Sequence, residues 1–535
     1  MFKKNIKIST IFLVPVLIVF LFEIITDDFT FNRSFNLIEN LLFLIVIIIL
    51  SLFFGRQQYR KWYFFVAFTI FNLSLFFESF YNYHFKGVLN DSAIFVILET
   101  NMAESSEFLS SYFNKPILIL LIILVFANSI GLVLISRYTI ALKQSINRKV
   151  VLILTVFLIM AFLKITKLIM YNVPYLVIRT PISYYKEIQR LKLYGEENPF
   201  GSFNNVKHLG TDKNKELYVI VLGESTSELH FNLHSEYYRE TTPLLNKIKN
   251  ELCIIEDAIS PHAYTIGSLS KALTLGNYEN PLAQSKGSIL QLLNQAGFKT
   301  YWISNQRPVG ISDTHITKIA KGADVIKFLN VNHTSERTPY DELLLDELDS
   351  VLLEEGNKKV VFMHMIGAHF AYEKRFPPKF KYFRTKPKTK FERQEVYETI
   401  NAYDNVMRYT DSILNEVIVK TRKQQVKSFM LYFSDHGQEV YDDIDFFGHS
   451  VDQMVTKNMF KIPLFLWSSE NYQANRQLID NSKRKYMIDD MIHTIADLCN
   501  VSSDEIDLSR SIFNSKFKDR TRFIKDSIDF DTYFD

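Results

Sequence analysis

The stretch LYFSDHGQEV (431–440) ends an apolar run on an acid and an imidazole, Asp435 and His436, followed by a glycine. An acid beside an imidazole at a strand end has two explanations: a polar turn or a pair of metal ligands. Zinc accepts both carboxylate oxygen and imidazole nitrogen as ligands. The stretch alone leaves both explanations open.

Two further apolar runs end on the same types of side chain. ELYVIVLGES (216–225) reaches Glu224, and KKVVFMHMIGAH (358–369) ends at His369. His364, inside the second run, alternates with apolar neighbours and is more typical of a core histidine. Three strand ends that carry carboxylates or imidazoles favour a metal site.

A candidate nucleophile lies in ISPHAYTIGSLSKALT (259–274). Thr265 begins a helical pattern there, where the helix dipole and free N–H groups can receive a phosphate. A threonine at a helix start is also a common N-cap. Its hydroxyl is a poor nucleophile at neutral pH unless a base or a metal lowers its pKa. A metal held by Glu224, Asp435 and His436 would lower it.

A sheet must bring these side chains together. From residue 216 onward, short apolar runs alternate with amphipathic segments, which is typical of an α/β domain with a largely parallel sheet. Such domains collect their chemistry at the carboxyl ends of the strands. We predict that residues 216–535 form this domain.

The first third of the chain has a different pattern, five apolar runs of about 20 residues, each long enough to cross a hydrocarbon core of about 30 Å as a helix. The runs lie at roughly 8–25, 35–54, 62–80, 116–136 and 150–171. A signal peptide would explain only the first run. We predict a five-helix transmembrane domain over 1–171, then a linker with a short amphipathic helix over 172–215.

Charge fixes the expected orientation. The N-terminus and the loops after the second and fourth runs are basic, and the alternate loops are acidic. Basic loops stay in the cytoplasm, so the N-terminus is predicted to be cytoplasmic and the chain beyond about residue 172 external. The net charge of +3 over 535 residues gives no field that would select nucleic acid.

Two features have a simple and a sharper interpretation. The segment KRFPPKFKYFRTKPKTKFER (374–393) is strongly basic with interleaved aromatics. A solvated surface is the simple interpretation, and contact with anionic glycolipid or lipid headgroups is the sharper one. His262 lies three residues before Thr265 and could touch substrate, but a loop histidine is the simpler interpretation.

The order GES, SPHAYTIGSLSKALT, YWISNQ, HMIGAH and YFSDHGQEVYD resembles the membrane-bound phosphoethanolamine transferases of the sulfatase and alkaline phosphatase superfamily. The stretches IPLFLWSSE, RKYMIDDMIHTIADL and SRSIFNSKFKDRTRF look closest to members that modify a heptose of the lipopolysaccharide core. The resemblance covers nearly the whole chain. It implies an alkaline phosphatase-like α/β domain in the periplasm, attached to the bacterial inner membrane.

The resemblance also implies a two-step transfer. Thr265 matches the family nucleophile, which takes phosphoethanolamine from phosphatidylethanolamine and releases diacylglycerol, after which an acceptor displaces the group. Glu224, Asp435 and His436 match the tight zinc ligands, with the Thr265 hydroxyl as the fourth ligand.

Six further positions match residues near the substrates. Two match histidines that face the transferred phosphate and can hold a second metal, and four match donor or phosphoryl contacts. They are His369 and His449 for the phosphate, Asn305 and Gln306 for the phosphoryl group or headgroup, and Asn101 and Glu104 for the donor.

The acceptor is less closely defined. The branch that modifies lipid A is rich in disulfides and has a cysteine beside its nucleophile, whereas this chain has Pro261 at the matching position and only Cys253 and Cys499. This difference favours a core sugar, while lipid A, a periplasmic glucan or another glycan remain alternatives.

Two other classes of function fit this sequence less well. A sulfatase needs Cys or Ser two positions before a proline, and Ser260-Pro261 lacks that gap. A metal-binding scaffold or sensor without turnover would have no chemical reason to keep the nucleophile with the three ligands. We therefore expect a monomeric, membrane-embedded zinc enzyme.

Overall fold

Apolar helices build the N-terminal part of the computed structural model. The structure describes residues 2–26, 31–54, 56–85, 89, 94, 105, 108, 109, 112–137, 146–190, 200–210, 215–306, 315–330, 339–449, 455–473 and 482–535. The chain forms two compact units, a helical unit from its N-terminal third and a larger α/β unit from most of the remainder.

The helical unit contains six helices among the described residues. They are α1 (Phe2–Thr26), α2 (Phe31–Ser51), α3 (Gln57–Phe85), α4 (Lys115–Arg137), α5 (Ile146–Ile165) and α6 (Val173–Arg190), with a 3₁₀ turn at Leu168–Tyr171 between the last two. Three of these helices carry stretches long and apolar enough to span a membrane. The stretches are Ser34–Ser51, Gln57–Phe85 and Lys115–Ile135, and α1 adds a shorter one, Thr10–Thr26. The number of five spans stays a prediction.

Close packing joins three of these helices. The Phe12 ring of α1 meets the Phe68 ring of α3 edge-on, with centroids 4.7 Å apart. Gly131 of α4 lies so close to Phe68 that an added Cβ would stand 2.4 Å from its ring. Small residues allow this approach between membrane helices. Large apolar side chains on α4 such as Phe126 stay exposed, as a lipid-facing surface requires.

The α/β unit contains one seven-stranded sheet and four two-stranded sheets among its described residues. Its strands are β1 (Lys207–His208), β2 (Glu216–Gly223), β3 (Leu252–Ile255), β4 (Asp257–Ile259), β5 (Lys299–Ser304), β6 (Val325–Phe328), β7 (Lys358–His364), β8 (Lys427–Ser434), β9 (Glu439–Val440), β10 (Phe447–Gly448), β11 (Leu464–Ser468), β12 (Lys485–Met487), β13 (Val501–Ser502), β14 (Phe523–Ile524) and β15 (Ile528–Asp529).

Helices and 3₁₀ turns connect these strands. The helices are α7 (Pro243–Lys247), α8 (Thr265–Ala272), α9 (Ile289–Gln295), α10 (His315–Ala320), α11 (Glu342–Leu353), α12 (Gln394–Lys423), α13 (Glu470–Gln473), α14 (Met491–Leu498) and α15 (Phe530–Phe534). The turns are Lys249–Glu251, Pro281–Lys286, Tyr372–Lys374, Pro378–Phe380, Lys457–Met459, Ile488–Asp490 and Leu508–Arg510.

The central sheet has seven strands in the order β3-β11-β8-β2-β7-β5-β6. Its four pairings from β8 to β6 are parallel, and the two pairings of β11, with β8 and β3, are antiparallel. The sheet is therefore mixed, which refines the expectation of a largely parallel sheet. The chain enters β11 from the edge at which β8 ends, so β11 must run back along it.

Both faces of the sheet are buried, which explains why its strands are continuously apolar. Ile220 and Leu431 belong to the core on one face, together with Ile492 of α14. Val219 and Met430 belong to the core on the other face, which α11 and α12 also help to form. Side chains alternate between the two cores along each strand. The carboxyl ends of β2, β7 and β8 then lie side by side.

Candidate metal centre

The two central strands β2 and β8 place the first candidate ligands. They run parallel with Gly223 opposite Ser434, so the next residues, Glu224 and Asp435, leave the same edge of the sheet at the same level. Glu224, Asp435 and His436 are buried, and each offers one ligand atom within 4.8 Å of the others.

Hydrogen bonds orient these three side chains toward one point. Asp435 Oδ1 accepts the backbone N–H of Ser225 at 2.9 Å and of His436 at 2.7 Å. Asp435 Oδ2 is buried and has no hydrogen-bond partner among the described residues. It lies 3.4 Å from His436 Nε2, which is also 3.5 Å from Glu224 Oε1. His436 Nδ1 lies 2.8 Å from the Gly437 carbonyl oxygen, which leaves Nε2 for a metal.

Thr265 joins this cluster from another element. It is the first residue of α8, after Tyr264 in extended conformation. Its hydroxyl donates to the Glu224 carboxylate, 3.1 Å from Oε2 and 3.4 Å from Oε1. The side chain therefore points to the acid cluster, where the backbone N–H groups of the first helical turn are also available.

The charges of the cluster call for a cation. Burial and the neighbouring Glu224 charge raise the pKa of Asp435 to about 7. Burial lowers the pKa of His436, but the charges of Asp435 and Glu224 outweigh it and raise this pKa to about 9. Two buried carboxylates beside one imidazole are stabilised by a positive charge at their centre. The unpartnered Asp435 Oδ2 and this N,O donor set fit zinc.

His369 and His449 lie near the cluster in different ways. The His449 ring lies 4.5 Å from the His436 ring, measured between centroids. The Nδ1 atoms of His369 and His449 are both buried without a hydrogen-bond partner in the part of the chain that is described. Burial lowers the pKa of His369 to about 4 and that of His449 well below its usual value. Both imidazoles are therefore neutral at physiological pH.

The neighbours Asn305 and Gln306 have separate roles. The Gln306 amide donates to Glu224 Oε2 at 2.9 Å and to the Met365 carbonyl at 3.0 Å, so it belongs to the cluster. The Asn305 amide instead donates to the Pro339 carbonyl and to Asp341 Oδ1, both at 2.9 Å. The structure therefore brings Gln306, and not the Asn305 amide, to Glu224.

Other sequence candidates have different fates. Asn101 and Glu104, the predicted donor contacts, lie outside the described residues. His364 is a buried residue with its ring 5.6 Å from that of Trp302. His262 Nε2 lies 3.7 Å from an Asp526 carboxylate oxygen.

Sequence reasoning missed three supports of the cluster. Ser225 donates its hydroxyl to Glu224 Oε1 at 2.7 Å. Asp341 accepts the backbone N–H groups of Ile366 at 2.9 Å and Gly367 at 3.0 Å, which fixes the turn after β7. Gly367 has φ +46° and packs on Glu224. The only sequence signal was an acid before a helical pattern, which is typical of an N-cap, yet Asp341 makes no side-chain cap on its own helix.

Comparison with known proteins identifies the family. The sulfatase family pattern matches residues 216–501. The phosphoethanolamine transferase EptC of Escherichia coli (strain K12) is 32% identical over 477 residues, which is 83% of this chain and 82% of EptC. The chain belongs to the phosphoethanolamine transferase family.

One solved structure supports the same family, and a second shares the fold. The C-terminal periplasmic domain of Escherichia coli EptC, in complex with Zn, is 33% identical, with a TM-score of 0.59, over 62% of this chain and 96% of that one. The integral membrane lipooligosaccharide phosphoethanolamine transferase A (EptA) of Neisseria meningitidis shares the fold. It aligns with 95% of this chain and 96% of its own at a TM-score of 0.66 and 19% identity. As a phosphoethanolamine transferase, this protein is a membrane-attached enzyme of the transferase class.

Proposed function

We propose that the protein is a zinc-dependent enzyme that transfers phosphoethanolamine from phosphatidylethanolamine to a lipopolysaccharide core sugar, a heptose. The reaction passes through phosphorylated Thr265 on the periplasmic side of the inner membrane, and the N-terminus lies in the cytoplasm. The single observation that carries this proposal is the Thr265 hydroxyl at 3.1 Å from Glu224, inside the buried cluster with Asp435 and His436.

Four residues would hold the metal: Glu224, Asp435, His436 and the Thr265 hydroxyl. Bound zinc would lower the pKa of that hydroxyl and offset charge on the phosphoryl oxygens. The neutral His369 and His449 are suited to face the phosphoryl group or to hold a second ion. The zinc complex of the EptC domain supports the choice of metal for this chain.

In the first step, the Thr265 oxygen attacks the phosphorus of phosphatidylethanolamine. A Thr265 O–P bond forms, the P–O bond to diacylglycerol breaks, and the released diacylglycerol oxygen takes up a proton. Glu224 orients the nucleophile by accepting a hydrogen bond from its hydroxyl. The proton that Thr265 loses balances the proton that diacylglycerol gains. The N–H groups at the start of α8 are suited to receive the phosphoryl oxygens.

In the second step, an acceptor hydroxyl attacks the phosphorus on Thr265. An O–P bond to the acceptor forms, the O–P bond to Thr265 breaks, and the threonine oxygen regains the proton that the acceptor hydroxyl loses. The net change is phosphatidylethanolamine plus acceptor hydroxyl to diacylglycerol plus phosphoethanolamine-modified acceptor. The enzyme is returned to its starting state.

The core-sugar acceptor is supported by the surroundings of the nucleophile. Pro261 is buried in the loop before Thr265, where the branch that modifies lipid A is expected to have a disulfide cysteine. Both cysteines of this chain, Cys253 and Cys499, are thiols. The loop that frames Thr265 is therefore built differently from that branch.

Mass spectrometry of the host lipopolysaccharide, split into lipid A and core, tests the proposal. Cells with the wild-type protein, with Thr265→Ala and with a deletion are compared. We expect a phosphoethanolamine-sized gain on the core with wild type only, while purified Thr265→Ala still contains zinc.

Other outcomes assign other functions. A gain on lipid A or on a periplasmic glucan would keep the chemistry and replace the acceptor. Zinc-containing protein that modifies no glycan and releases no diacylglycerol would favour a metal-binding scaffold.

A further inference from the structure

One charged surface has no part in the chemistry described so far. Residues 374–393 contain nine basic residues and one acid, in a chain whose total net charge is +3. We call the exposed cations of 379–393 the basic band. They are Lys379, Lys381, Arg384, Lys386, Lys388, Lys390 and Arg393.

Some cations of the basic band have acidic partners. Lys386 pairs with Glu392 at 2.7 Å, and Arg393 pairs with Asp445. Lys379, Lys381, Arg384 and Lys388 have no ion pair with a described residue; Arg384, for instance, bonds the Lys381 carbonyl oxygen at 2.8 Å. These four form a field of positive charge that no carboxylate of the described residues neutralises by an ion pair.

The backbone of the basic band is held in place by side chains of its neighbours. Asn405 of α12 accepts the N–H groups of Tyr382 at 2.8 Å and Phe383 at 2.7 Å. The Tyr238 hydroxyl accepts the N–H of Lys388 at 2.9 Å. A loop fixed at several points presents its cations at a lower entropic cost than a free tail would.

Aromatic rings lie among the cations. Tyr382 is 62% exposed and the Arg408 guanidinium stands 4.0 Å from its ring centroid. Lys388 stands 4.8 Å from the Tyr238 ring centroid. Amphipathic rings beside cations offer apolar contact and charge together, which suits a sugar that carries phosphate groups.

Both ends of the band are connected to the loops of the metal centre. Just before the band, buried Arg375 donates to the carbonyl oxygens of His369 at 3.2 Å and Phe370 at 2.8 Å. At the other end, Lys390 donates to the Asp443 carbonyl oxygen at 2.7 Å, in the segment that leads to His449. The band is thus built into the loops that carry the candidate phosphate-facing histidines.

We propose that the basic band binds the phosphate-bearing saccharide of the acceptor. Exposed cations that pair with no described carboxylate bind its phosphates, and the rings contact its sugars. This assignment rests on the proposed function, because it identifies the surface that selects an anionic glycolipid for the second step. It also predicts that acceptor binding weakens with salt, whereas formation of the Thr265 intermediate does not depend on the band.

The test uses full-length protein in nanodiscs of phosphatidylcholine and phosphatidylethanolamine. The variant combines Lys379→Gln, Lys381→Gln, Arg384→Gln and Lys388→Gln. Diacylglycerol release without acceptor measures the first step, and the dependence of transfer on lipopolysaccharide concentration measures the second. We expect the KM for lipopolysaccharide to rise about tenfold, with a weaker salt dependence and diacylglycerol release within about twofold of wild type.

A control variant removes the same amount of charge elsewhere. It combines Lys247→Gln, Lys249→Gln, Lys516→Gln and Lys518→Gln, four exposed lysines outside the band. An equal rise of KM in both variants would overturn the assignment. A second outcome would also overturn it: the KM of the basic-band variant is unchanged, and its diacylglycerol release falls only in nanodiscs that contain phosphatidylglycerol. The band would then bind the lipid surface.

Direct binding of fluorescent lipopolysaccharide separates this inference from the proposed reaction. If only the basic-band variant loses binding and no protein transfers phosphoethanolamine, the role of the band is supported and the proposed reaction is overturned. Equal binding by all three proteins would overturn the role of the band in acceptor binding, whether or not the proposed reaction occurs.

Discussion

Gln306 connects the metal cluster to the strand beside it, since one amide bonds both Glu224 and the Met365 carbonyl. A partner that orients a metal ligand in this way typically affects metal affinity or activity by about tenfold to a hundredfold. We therefore expect Gln306→Met to weaken zinc binding by that range, as measured by competition with a fluorescent chelator.

Gln295→Met is the matched control for this substitution. Gln295 ends α9 and its amide bonds the Phe203 carbonyl at 3.4 Å, so its loss leaves Glu224 unchanged. Equal zinc affinity in the Gln306 variant and in wild type would contradict the role given to Gln306.

A second buried charged residue, His230, lies outside the metal cluster. His230 Nδ1 lies 2.7 Å from Asp404, and Nε2 lies 3.1 Å from Asp442. Asp404 also binds Arg239 at 2.6 Å and the Tyr237 hydroxyl at 3.0 Å. Burial lowers the pKa of His230, but the two carboxylates outweigh it and raise the pKa to about 10. His230 is therefore a buried cation that ties the segment after β2 to α12 and to the segment after β9.

This raised pKa predicts a pH dependence of stability. A histidine whose pKa rises on folding stabilises fully below its unfolded value of about 6.5 and loses this effect as pH rises through 10. We expect His230→Gln to lower the free energy of unfolding by about 3 kcal/mol at pH 6. The difference from wild type should shrink between pH 7 and 10, as followed by tryptophan fluorescence in urea.

His234→Gln provides the comparison, because burial lowers the pKa of His234 to about 4. The charge of His234 does not change between pH 7 and 10, so the free energy of unfolding of that variant should depend on pH as it does in wild type. A wild-type slope in the His230 variant would show that His230 is neutral in the folded protein.

At the scale of elements, the turn after β7 determines where Glu224 stands. A Cβ on Gly367 would lie 2.7 Å from the Glu224 carbonyl oxygen and 3.0 Å from its nitrogen, and φ is +46°. We expect Gly367→Ala to push the ligand strand away and to lower the zinc content of purified protein severely, measured by elemental analysis. The left-handed backbone alone adds a cost of about 1 kcal/mol.

Gly297→Ala isolates the backbone cost. Gly297 has φ +88°, and an added Cβ would meet no atom within 4 Å. This variant should lose about 1 kcal/mol of stability while zinc content stays normal. A normal zinc content in the Gly367 variant would disprove the proposed coupling between the turn and Glu224.

The strands were predictable where a buried apolar run ends on a polar side chain. Periodicity predicted β2, β7 and β8, and acids or imidazoles at their ends pointed to the edge where the structure places Glu224 and Asp435. The antiparallel β11 was not predicted, because a buried apolar run has the same pattern in either direction. Asn305 and Gln306 were not distinguishable either, since only the bonds of Asn305 to Asp341 and Pro339 show which amide turns away from the cluster.

At the scale of the whole molecule, the α/β unit has its own cores. Both cores of the central sheet are formed by residues between Phe203 and Phe513. We therefore expect a fragment from residue 200 to 535 to unfold cooperatively and to bind zinc, but to release no diacylglycerol from vesicles. Circular dichroism during heating and the diacylglycerol assay test both parts.

Chelation provides a further test of this fragment. Metal removal takes away the bonds from the ion to the buried Glu224, Asp435 and His436, so the melting temperature should fall by several degrees. A melting temperature that EDTA does not change would mean that the metal is not part of the folded core.

The pairing of β2 with β8 has a consequence for the order of assembly. The ligand residues lie about 210 positions apart in the chain, as the bond between Ser225 and Asp435 shows. Because side chains alternate along a strand, a slip of one residue between Gly223 and Ser434 would turn the ligands to opposite faces. Neither the segment with Glu224 nor the segment with Asp435 can therefore hold the ion alone early in folding. An ion held at this edge shows that β2 and β8 have paired in the correct register, and newly made protein should acquire metal only after that pairing has formed.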